Sequence, residues 1–527
     1  MMKILISDKL SEKAVEIIKK EKKLEAVVNT DLSQKELVKC IKDYQGLIVR
    51  SQTQVTKQVI KAGKNLKVIG RAGVGVDNID VETATKQGIV VMNTPDANTI
   101  STAELTFTMI LALSRNIYQA TKALKNNQWA KDKLTGVELY EKVLGIIGLG
   151  KIGTQVAKRA LAFGMHVSVY DPFVSTDQAG VLGVKLLTLK QLLKQSDYIT
   201  IHTPLNDETF HLIGKEEFKL MKKGVRVINC ARGGIIDEKA LYQALVKGRV
   251  AGCALDVFEK EPPRNNPLLD LDQVIASPHI GAVTHEAKAN VAVQVAKQVT
   301  EVLKGGFVRN AVNFPSIKPE ILEQIKPYIN LAEKLGKFQT QIQEGCLQSV
   351  RITYTGEMNN YQIKPITLAL LKGLLEPMFS DRVNYINAPV LARERGIKIV
   401  ETKSNQVEDF ANLILLETET AKHKSSVAGT LFTKNDPRIV RINDYHVDAV
   451  PEGYLLVCSN HDKPGVIAHV STTLAKNKVN IADMTVGRKE VAGKAITVIN
   501  IDNSINKKIL DQVKSSPLII EARLVKL

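Results

Sequence analysis

A glycine-rich turn between an apolar run and a helix restricts the fold of this chain more than any other feature. The run Val143–Ile147 is apolar enough for a strand that is buried on both faces of a parallel sheet. Gly148, Gly150 and Gly153 follow it with G-x-G-x-x-G spacing. In this pattern the first glycine makes a tight turn, the second admits a pyrophosphate, and the third lets the next helix pack closely. We therefore predict a doubly wound nucleotide-binding sheet, with phosphates at the N-terminus of a helix over 154–163.

An acidic residue after the next predicted strand indicates which dinucleotide is bound. His166–Tyr170 is predicted to be that strand, and Asp171 lies 18 positions after Gly153. A carboxylate at this distance accepts hydrogen bonds from the adenosine ribose hydroxyls and repels a 2′-phosphate. Because no arginine follows within the next few residues, the pattern favours NAD over NADP as the cofactor.

Three further strand ends carry an arginine, a glutamate and a histidine, which are Arg232, Glu261 and His279. Taken singly, each residue is more often a surface ion pair, a turn residue or a packed ring. Because ligands bind outside the carboxyl ends of strands in an open α/β sheet, we expect the three to share one crevice. Arginine binds a carboxylate with two parallel hydrogen bonds, imidazole exchanges a hydroxyl proton, and a carboxylate orients the imidazole. The trio predicts hydride transfer to or from a 2-hydroxy acid.

These motifs together resemble the D-2-hydroxyacid dehydrogenase family, and within it the members that act on D-3-phosphoglycerate. The resemblance is dense over 1–315 and returns at 453–527. It implies NAD-dependent oxidation of D-3-phosphoglycerate to 3-phosphohydroxypyruvate, the first step of phosphorylated L-serine biosynthesis. The matching segments are Arg50–Ser51, Arg71–Asn78, Asn93–Pro95, Gly148–Gly153, Asp171, Ala231–Gly234, Asp256–Pro263 and Pro278–His279.

The resemblance implies a role for each matching residue. His279 takes the hydroxyl proton, Glu261 holds its imidazole, and Arg232 binds the carboxylate. Substrate binding is expected from Arg50, Ser51, Arg71 and Gly73. Thr203 is expected to bound the adenine side, and Asp256 to accept from the carboxamide. Cofactor contacts are expected from Val74, Gly148, Gly150, Lys151, Ile152, Gly153, Asp171, Thr203, Cys230, Ala231, Arg232, Asp256, His279, Gly281 and Ala282.

The composition excludes several other classes of protein. A chain of 527 residues suggests three or four domains, and no apolar run reaches the ~18 residues of a membrane span. The five cysteines are scattered without C-x-x-C spacing, which predicts reduced thiols in the cytoplasm and no metal site. The net charge of +17 is spread along the chain without a basic, aromatic stripe, so we expect a solvated surface and no nucleic-acid partner.

The order of predicted elements gives four domains. Short strands alternate with helices over 1–98, and a capping-box sequence, Ser101–Glu104, predicts a long helix to about Asn127. That helix leads into a Rossmann-type NAD-binding domain over 99–283. A second helix over 284–303 returns the chain to a discontinuous, flavodoxin-like substrate-binding domain of 1–98 and 284–314, as the resemblance implies. An α+β intervening domain is predicted over 315–450.

The C-terminal residues 453–527 are predicted to fold in ferredoxin-like βαββαβ order. The sequence Asp462–Val466, together with Asn480, resembles the ACT regulatory module, although an ordinary turn is the alternative for the first segment. The resemblance implies that Asp462 and Asn480 bind L-serine as an effector, and that the protein is a homotetramer or homodimer. Two alternative functions stay open: a relative acting on glycerate, lactate or glyoxylate, and an NADH-sensing protein similar to transcriptional corepressors.

Overall fold

The computed structural model describes residues 1–95, 97–306, 308–315, 319–379, 383–404, 410–421 and 423–527. The described residues form four β-sheets of five, seven, six and four strands. No helix among them is long and apolar enough to cross a membrane.

The first sheet has five parallel strands in the order β2-β1-β3-β4-β5, which is the flavodoxin-like order predicted for this part of the chain. The strands are β1 Met2–Ile6, β2 Leu24–Val28, β3 Gly46–Val49, β4 Val68–Arg71 and β5 Val90–Met92. The helices between them are α1 Glu12–Lys19, α2 Gln34–Cys40, α3 Lys57–Ala62 and α4 Val81–Lys86.

The second sheet has seven parallel strands, and six of them follow the strand order of a dinucleotide-binding fold. The order is β12-β11-β10-β9-β6-β7-β8. Its strands are β6 Val143–Ile147, β7 His166–Tyr170, β8 Lys185–Leu186, β9 Tyr198–Ile201, β10 Val225–Asn229, β11 Val250–Leu255 and β12 Val274–Ala276. Its helices are α5 Thr99–Ser114, α6 Ile117–Lys125, α7 Lys151–Ala162, α8 Thr176–Val181, α9 Leu189–Gln195, α10 Lys215–Leu220 and α11 Glu238–Val246.

The prediction of one helix running to about Asn127 is wrong, because α5 and α6 are separate helices. Asn116 takes a left-handed conformation (φ 51°), and its side-chain amide donates to the carbonyls of Leu134 and Thr135. The carbonyl of Ser114 accepts from the Val137 amide, so a crossing segment takes the bonds that would continue the helix. The capping box is also wrong: α5 begins at Thr99, and Ser101 donates to the Asn98 carbonyl.

The helix α12 His285–Leu303 begins after Thr284, as predicted, and packs against the first sheet. A Cβ placed on Gly70 of β4 would lie 2.5 Å from Val299 and 2.6 Å from Val295. This close approach needs glycine on the strand. The first sheet therefore shares its core with a helix that comes 190 or more residues later in the chain.

The third sheet is mixed, with the order β14-β13-β15-β16-β17-β18, and only β13 and β14 are parallel. β15, β18 and α15 were not predicted from the sequence. The strands are β13 Leu347–Gly356, β14 Lys398–Ser404, β15 Asn412–Thr420, β16 Lys424–Leu431, β17 Pro437–Ile442 and β18 Tyr445–Ala449. The helices are α13 Pro319–Ile342, α14 Lys364–Leu375 and α15 Ala388–Glu394.

The fourth sheet is antiparallel, in the order β20-β21-β19-β22, and confirms the predicted βαββαβ fold. Its elements are β19 Tyr454–His461, α16 Val466–Lys476, β20 Ile481–Arg488, β21 Lys494–Ile501, α17 Lys507–Lys514 and β22 Ile519–Lys526. Its edge strand β20 abuts β18 of the third sheet, where the Asp448 amide donates to the Thr485 hydroxyl at 3.2 Å. The exact domain boundaries stay predictions.

The segment before α15 connects the third sheet to the first. The Asn384 amide donates to the Gly88 carbonyl at 2.8 Å, and Ile386 is buried in the same apolar cluster as Val90. The intervening region therefore packs directly on the β4–β5 side of the first sheet.

Candidate active site

A cleft of about 780 Å³ lies between the first and second sheets. The turns that line it follow the carboxyl ends of strands from both sheets, as expected for an open α/β fold. The cleft brings together nine of the residues predicted from the sequence, which are Arg50, Ser51, Arg71, Gly73, Val74, Arg232, Glu261, His279 and Ala282.

His279 and Glu261 form an ion-pair geometry in this cleft. The distance between His279 Nδ1 and Glu261 Oε2 is 2.7 Å. Because a carboxylate accepts, Nδ1 carries the proton in this bond, and Nε2 is left as the exchanging atom. Half of the His279 side chain is exposed, so the imidazole is open to a ligand.

The two groups shift each other's pKa in opposite directions. The hydrogen bond to Glu261 raises the pKa of His279, against the opposing effect of burial. Burial raises the pKa of Glu261, but the hydrogen bond from His279 and its charge outweigh burial and hold that pKa below its usual range. The pair therefore keeps an ionised carboxylate next to an imidazole that binds a proton readily.

The turn that carries His279 is fixed by the buried carboxylate of Asp256. Its oxygens accept from the amides of Ile280 and Gly281 at 2.8 Å each, and from the hydroxyl of Ser277. The His279 amide also donates to the Asp256 carbonyl, which holds His279 at a positive φ of 52°. Asp256 thus orients the histidine turn, and its predicted bond with the carboxamide stays a prediction.

Arg232 lies in a tight turn after β10. The Asn229 side chain closes this turn by donating to the Arg232 carbonyl and accepting from the Ala231 amide. A Cβ on Gly233 would lie 1.8 Å from the Phe258 carbonyl oxygen, so only glycine fits there. The Arg232 guanidinium lies 3.9 Å from Asp77 across the cleft. One wall of the cleft therefore presents an arginine that is anchored mainly through its backbone.

Arg71 presents a guanidinium without a counter-charge. Its Nε is buried without a hydrogen-bond partner, and no described carboxylate lies within ion-pair distance. Burial, and next the charge of Arg232, lower the pKa of Arg71. A Cβ on Gly73 would lie 1.8 Å from the Arg71 Nη1, so the guanidinium can occupy this position only because residue 73 is glycine. A buried, unpaired donor of this kind is satisfied by an anionic ligand.

Arg50 is held by an acidic residue that sequence reasoning missed. The Asp8 carboxylate accepts from the Arg50 amide and from the amide and hydroxyl of Thr53. Asp8 lies just after β1, at the same sheet edge as Arg50 and Arg71, and this position could have revealed it. Because Asp8 bonds the backbone of Arg50, the guanidinium still faces the cleft.

The glycine turn fits a bound dinucleotide. Gly148 has a φ of 92°, and a Cβ on Gly153 would lie 2.1 Å from the Gly148 carbonyl oxygen. A Cβ on Gly150 would meet nothing within 4 Å, which leaves an open side for phosphate. The Asp171 carboxylate accepts from the Leu149 amide at 2.8 Å and so lies at the turn. The helix α7 begins at Lys151, three residues earlier than predicted, which places Lys151 and Ile152 in its first turn.

Other predicted cofactor residues lie in two environments. The Thr203 hydroxyl is buried without a partner among the described residues, so it is available to a ligand. The Cys230 thiol packs in the core, and burial raises its pKa to about 12. The His202 ring forms a hydrogen bond with the Thr200 hydroxyl at 3.0 Å, and burial lowers its pKa to about 3.

The two predicted effector residues already have partners in the fourth sheet. The Asp462 carboxylate accepts from the Arg488 guanidinium and the Ala492 amide, each at 3.1 Å. The bond from Ala492, followed by that from Arg488, lowers the pKa of Asp462. The Asn480 amide donates to Asp502 at 2.9 Å. Asn480 is exposed, whereas Asp462 is partly buried.

Three family models match successive parts of the chain. The NAD-binding domain of D-isomer specific 2-hydroxyacid dehydrogenases matches residues 107–281. The intervening domain of D-3-phosphoglycerate dehydrogenase matches 324–443, and the ACT domain matches 454–517.

Full-length relatives and solved structures give the same assignment. D-3-phosphoglycerate dehydrogenases from Methanocaldococcus jannaschii and Bacillus subtilis are 46% and 43% identical, each covering 100% of both chains. A D-lactate dehydrogenase from Aquifex aeolicus, solved with NAD and lactic acid, is 32% identical with a TM-score of 0.53. It covers 60% of this chain and 100% of its own. The structural likeness thus covers the catalytic half, while the sequence likeness extends over the whole chain.

Proposed function

The chain belongs to the D-3-phosphoglycerate dehydrogenases within the NAD-binding D-isomer specific 2-hydroxyacid dehydrogenases, and we propose that its cleft oxidises D-3-phosphoglycerate to 3-phosphohydroxypyruvate. The observation that carries the proposal is the His279–Glu261 pair, which faces the unpaired Arg71 in one cleft. The reaction is the first step of phosphorylated L-serine biosynthesis.

In this proposal His279 is the general base. Its Nε2 takes the proton of the C2 hydroxyl, because Nδ1 is already bonded to Glu261. Glu261 stabilises the imidazolium that forms and keeps the ring in position. The turn of Gly148, Gly150 and Gly153 would hold NAD, which would be the acceptor for the hydride from C2.

Arg232 binds the substrate carboxylate and polarises the developing carbonyl oxygen. A preorganised donor of this kind contributes about 3–4 kcal/mol to the stabilisation of the transition state. Arg50 and Arg71 bind the phosphate, and Ser51 and Gly73 contribute to the same part of the cleft. The substrate carries a carboxylate and a phosphate, and this charge matches three arginines that have little neutralisation in the protein.

Steady-state kinetics test the proposal directly. We expect the rate of NADH formation from D-3-phosphoglycerate to exceed the rate from D-glycerate, D-lactate or glycolate. The rate with NAD should exceed the rate with NADP, because Asp171 repels a 2′-phosphate. Equal turnover of phosphorylated and unphosphorylated acids would assign the chain to a broader hydroxyacid dehydrogenase. Absence of turnover with all of these substrates, while NADH still binds, would instead favour a sensor protein.

We also propose that the ACT domain binds L-serine and that the protein is a homodimer or homotetramer. Asp462 has a carboxylate for the serine ammonium, and Asn480 has an amide for its carboxylate. Binding of L-serine affects catalysis only if L-serine has different affinities for two states of the protein, a difference that is typically about 1–3 kcal/mol.

The location of the protein is a separate proposal. The five cysteines are free, which supports a reducing, cytoplasmic location.

Inhibition assays and calorimetry test the effector proposal. L-serine is expected to inhibit, and Asp462→Ala or Asn480→Ala to relieve inhibition without changing the uninhibited rate. No heat of binding and no inhibition at millimolar L-serine would contradict it. Light scattering of the same samples gives the number of subunits.

A further inference from the structure

We infer that Lys9 and Ser11, on the loop between β1 and α1, complete the phosphate-binding part of the cleft and set its preference for phosphorylated substrates. The inference rests on the proposed function and extends it to two residues that carry no predicted role. Lys9 and Ser11 line the same cleft as Arg50 and Arg71.

Lys9 lies next to Arg50 and has no counter-charge. The Arg50 Nη1 donates to the Lys9 carbonyl at 3.5 Å, which places the two residues side by side. Nearby lysines of the same domain are paired, for example Lys304 with Glu21 at 3.0 Å. Among the described residues, no carboxylate lies within 4.0 Å of the Lys9 ammonium or the Arg50 guanidinium.

The Asp8 carboxylate between them does not supply that neutralisation. It is 3% exposed and bonds the Arg50 amide and the Thr53 amide and hydroxyl. Asp8 therefore fixes the position of the loop against the β3 turn. The two cations that it positions remain available to a ligand.

Ser11 provides a hydroxyl without a partner. It is the N-cap residue of α1, but its side chain makes no cap bond, and its Oγ is buried. Ser33, the N-cap of α2, does accept from the Glu36 amide. The difference between two otherwise similar caps indicates that the Ser11 hydroxyl is free to donate to a ligand.

The arginines form a row that gives the substrate a direction. Arg232 and Arg71 lie along one turn, because a Cβ on Gly75 would lie 2.5 Å from Arg232 Nη2 and one on Gly73 would lie 1.8 Å from Arg71 Nη1. Arg50 follows Val49, which pairs with Arg71 across β3 and β4, and Lys9 lies beside Arg50. With the carboxylate and C2 at His279, the phosphate on C3 points along the row towards Lys9.

A phosphate has the right chemistry for these groups. It carries about −1.5 to −2 charges at neutral pH and three acceptor oxygens. Arginine binds two of these oxygens in parallel, and lysine adds a point charge at the third. An unphosphorylated hydroxy acid leaves Lys9 and Ser11 without a partner.

The test compares D-3-phosphoglycerate with D-glycerate in the full-length protein. For Lys9→Met we expect kcat/KM with D-3-phosphoglycerate to fall about 10- to 100-fold, mainly through KM, as for loss of a hydrogen bond to a charged group. Turnover of D-glycerate should change by less than about twofold. Ser11→Ala should give a smaller loss of the same kind, and Lys9→Arg should restore much of the activity. Inorganic phosphate, as a competitive inhibitor, should bind more weakly to the Lys9→Met variant.

Lys13→Met is the matched control, because Lys13 is an exposed lysine of α1 outside the cleft. Equal losses in the Lys9 and Lys13 variants would reduce the effect to general electrostatic attraction and overturn the inference. Equal losses on the two substrates in Lys9→Met would also overturn it. If the wild-type protein does not prefer D-3-phosphoglycerate, the proposed function fails; if it does and Lys9→Met behaves like wild type, only this inference fails.

Discussion

The cleft and the α13–α14 contact differ in whether their buried charged groups have partners within the chain. In α13, Glu333 binds the Lys372 ammonium at 2.7 Å, the Lys337 ammonium at 3.2 Å and the Tyr385 hydroxyl at 2.6 Å. In the cleft, Arg71 has a buried Nε with no partner. One region satisfies its charged groups within the chain, and the other leaves them for a ligand.

The pKa shifts express the same difference. Burial raises the pKa of Glu333, but the bonds from Lys372 and then Tyr385 outweigh it and lower that pKa, which favours the charged form. Burial lowers the pKa of Arg71, which disfavours its charged form. The first cluster therefore stabilises the fold, whereas the second is costly until an anion arrives. A buried charge without a partner therefore indicates the candidate active site more clearly than the number of charged residues in a region does.

The largest expected effect is on catalysis alone. His279→Ala should lower kcat by about 10²- to 10⁴-fold, since a positioned base is lost, while NAD binding and the unfolding midpoint stay close to wild type. Stopped-flow NADH formation and thermal melts measure both. A turnover near that of wild type would remove His279 from the mechanism.

Next comes an effect on stability alone. Glu333→Ala leaves Lys372 without its carboxylate partner, removes one of the two partners of Lys337, and should lower the free energy of unfolding by about 2–3 kcal/mol, with kcat of the folded protein unchanged. The control is Lys424→Ala, which breaks an exposed pair with Glu419 and should lower the free energy of unfolding much less, because solvent screens that pair. Equal losses in chemical denaturation would show that the Glu333 cluster is no more structural than a surface pair.

Arg71→Met tests activity and stability at a single residue of the cleft. We expect kcat/KM for D-3-phosphoglycerate to fall about 10- to 100-fold, and turnover of D-glycerate to fall less. The unfolding midpoint should hold or rise, because a buried charge without a partner has been removed. A lower midpoint combined with equal losses on both substrates would make Arg71 a structural residue.

The smallest effect is a displaced pH profile. The bond to Glu261 raises the pKa of His279, and the base must be neutral to accept a proton, so activity rises as the pH climbs through this raised pKa. In Glu261→Gln the pKa of His279 falls back towards its ordinary value, and the rising limb of kcat/KM should move to lower pH. An unchanged limb in a pH series would separate Glu261 from the proton transfer.

Features encoded in short segments could be predicted from the sequence. Gly148 and Gly153 each meet a local steric requirement, Gly150 leaves open space for a phosphate, and the apolar run before them defines the strand. Arg71 could be found because it ends such a strand. The βαββαβ order of the last sheet followed from alternating short runs.

Features that depend on distant segments could not be predicted. The break between α5 and α6 requires the segment near Thr135, which takes up the carbonyl at Ser114. Lys9 was not predicted because its proposed role depends on its position beside Arg50, which is 41 positions away, and on the Asp8 carboxylate that holds the Arg50 backbone. β15 and β18 were missed because their strand pairing is decided by neighbours in the sheet.

The helix α12 has a consequence for the order in which this protein is made. Synthesis proceeds from the N-terminus, so β1–β5 leave the ribosome long before α12 exists. Until then the face of β4 at Gly70 lacks Val295 and Val299, and the cluster of Ile4 and Ile48 has only α1 packed in it, through Ala14 and Ile18. The strands β6–β12 all lie between and can complete their own sheet first. The first sheet is thus translated first but completed after the second sheet. One of its apolar faces stays partly uncovered on the nascent chain until α12 has been synthesised.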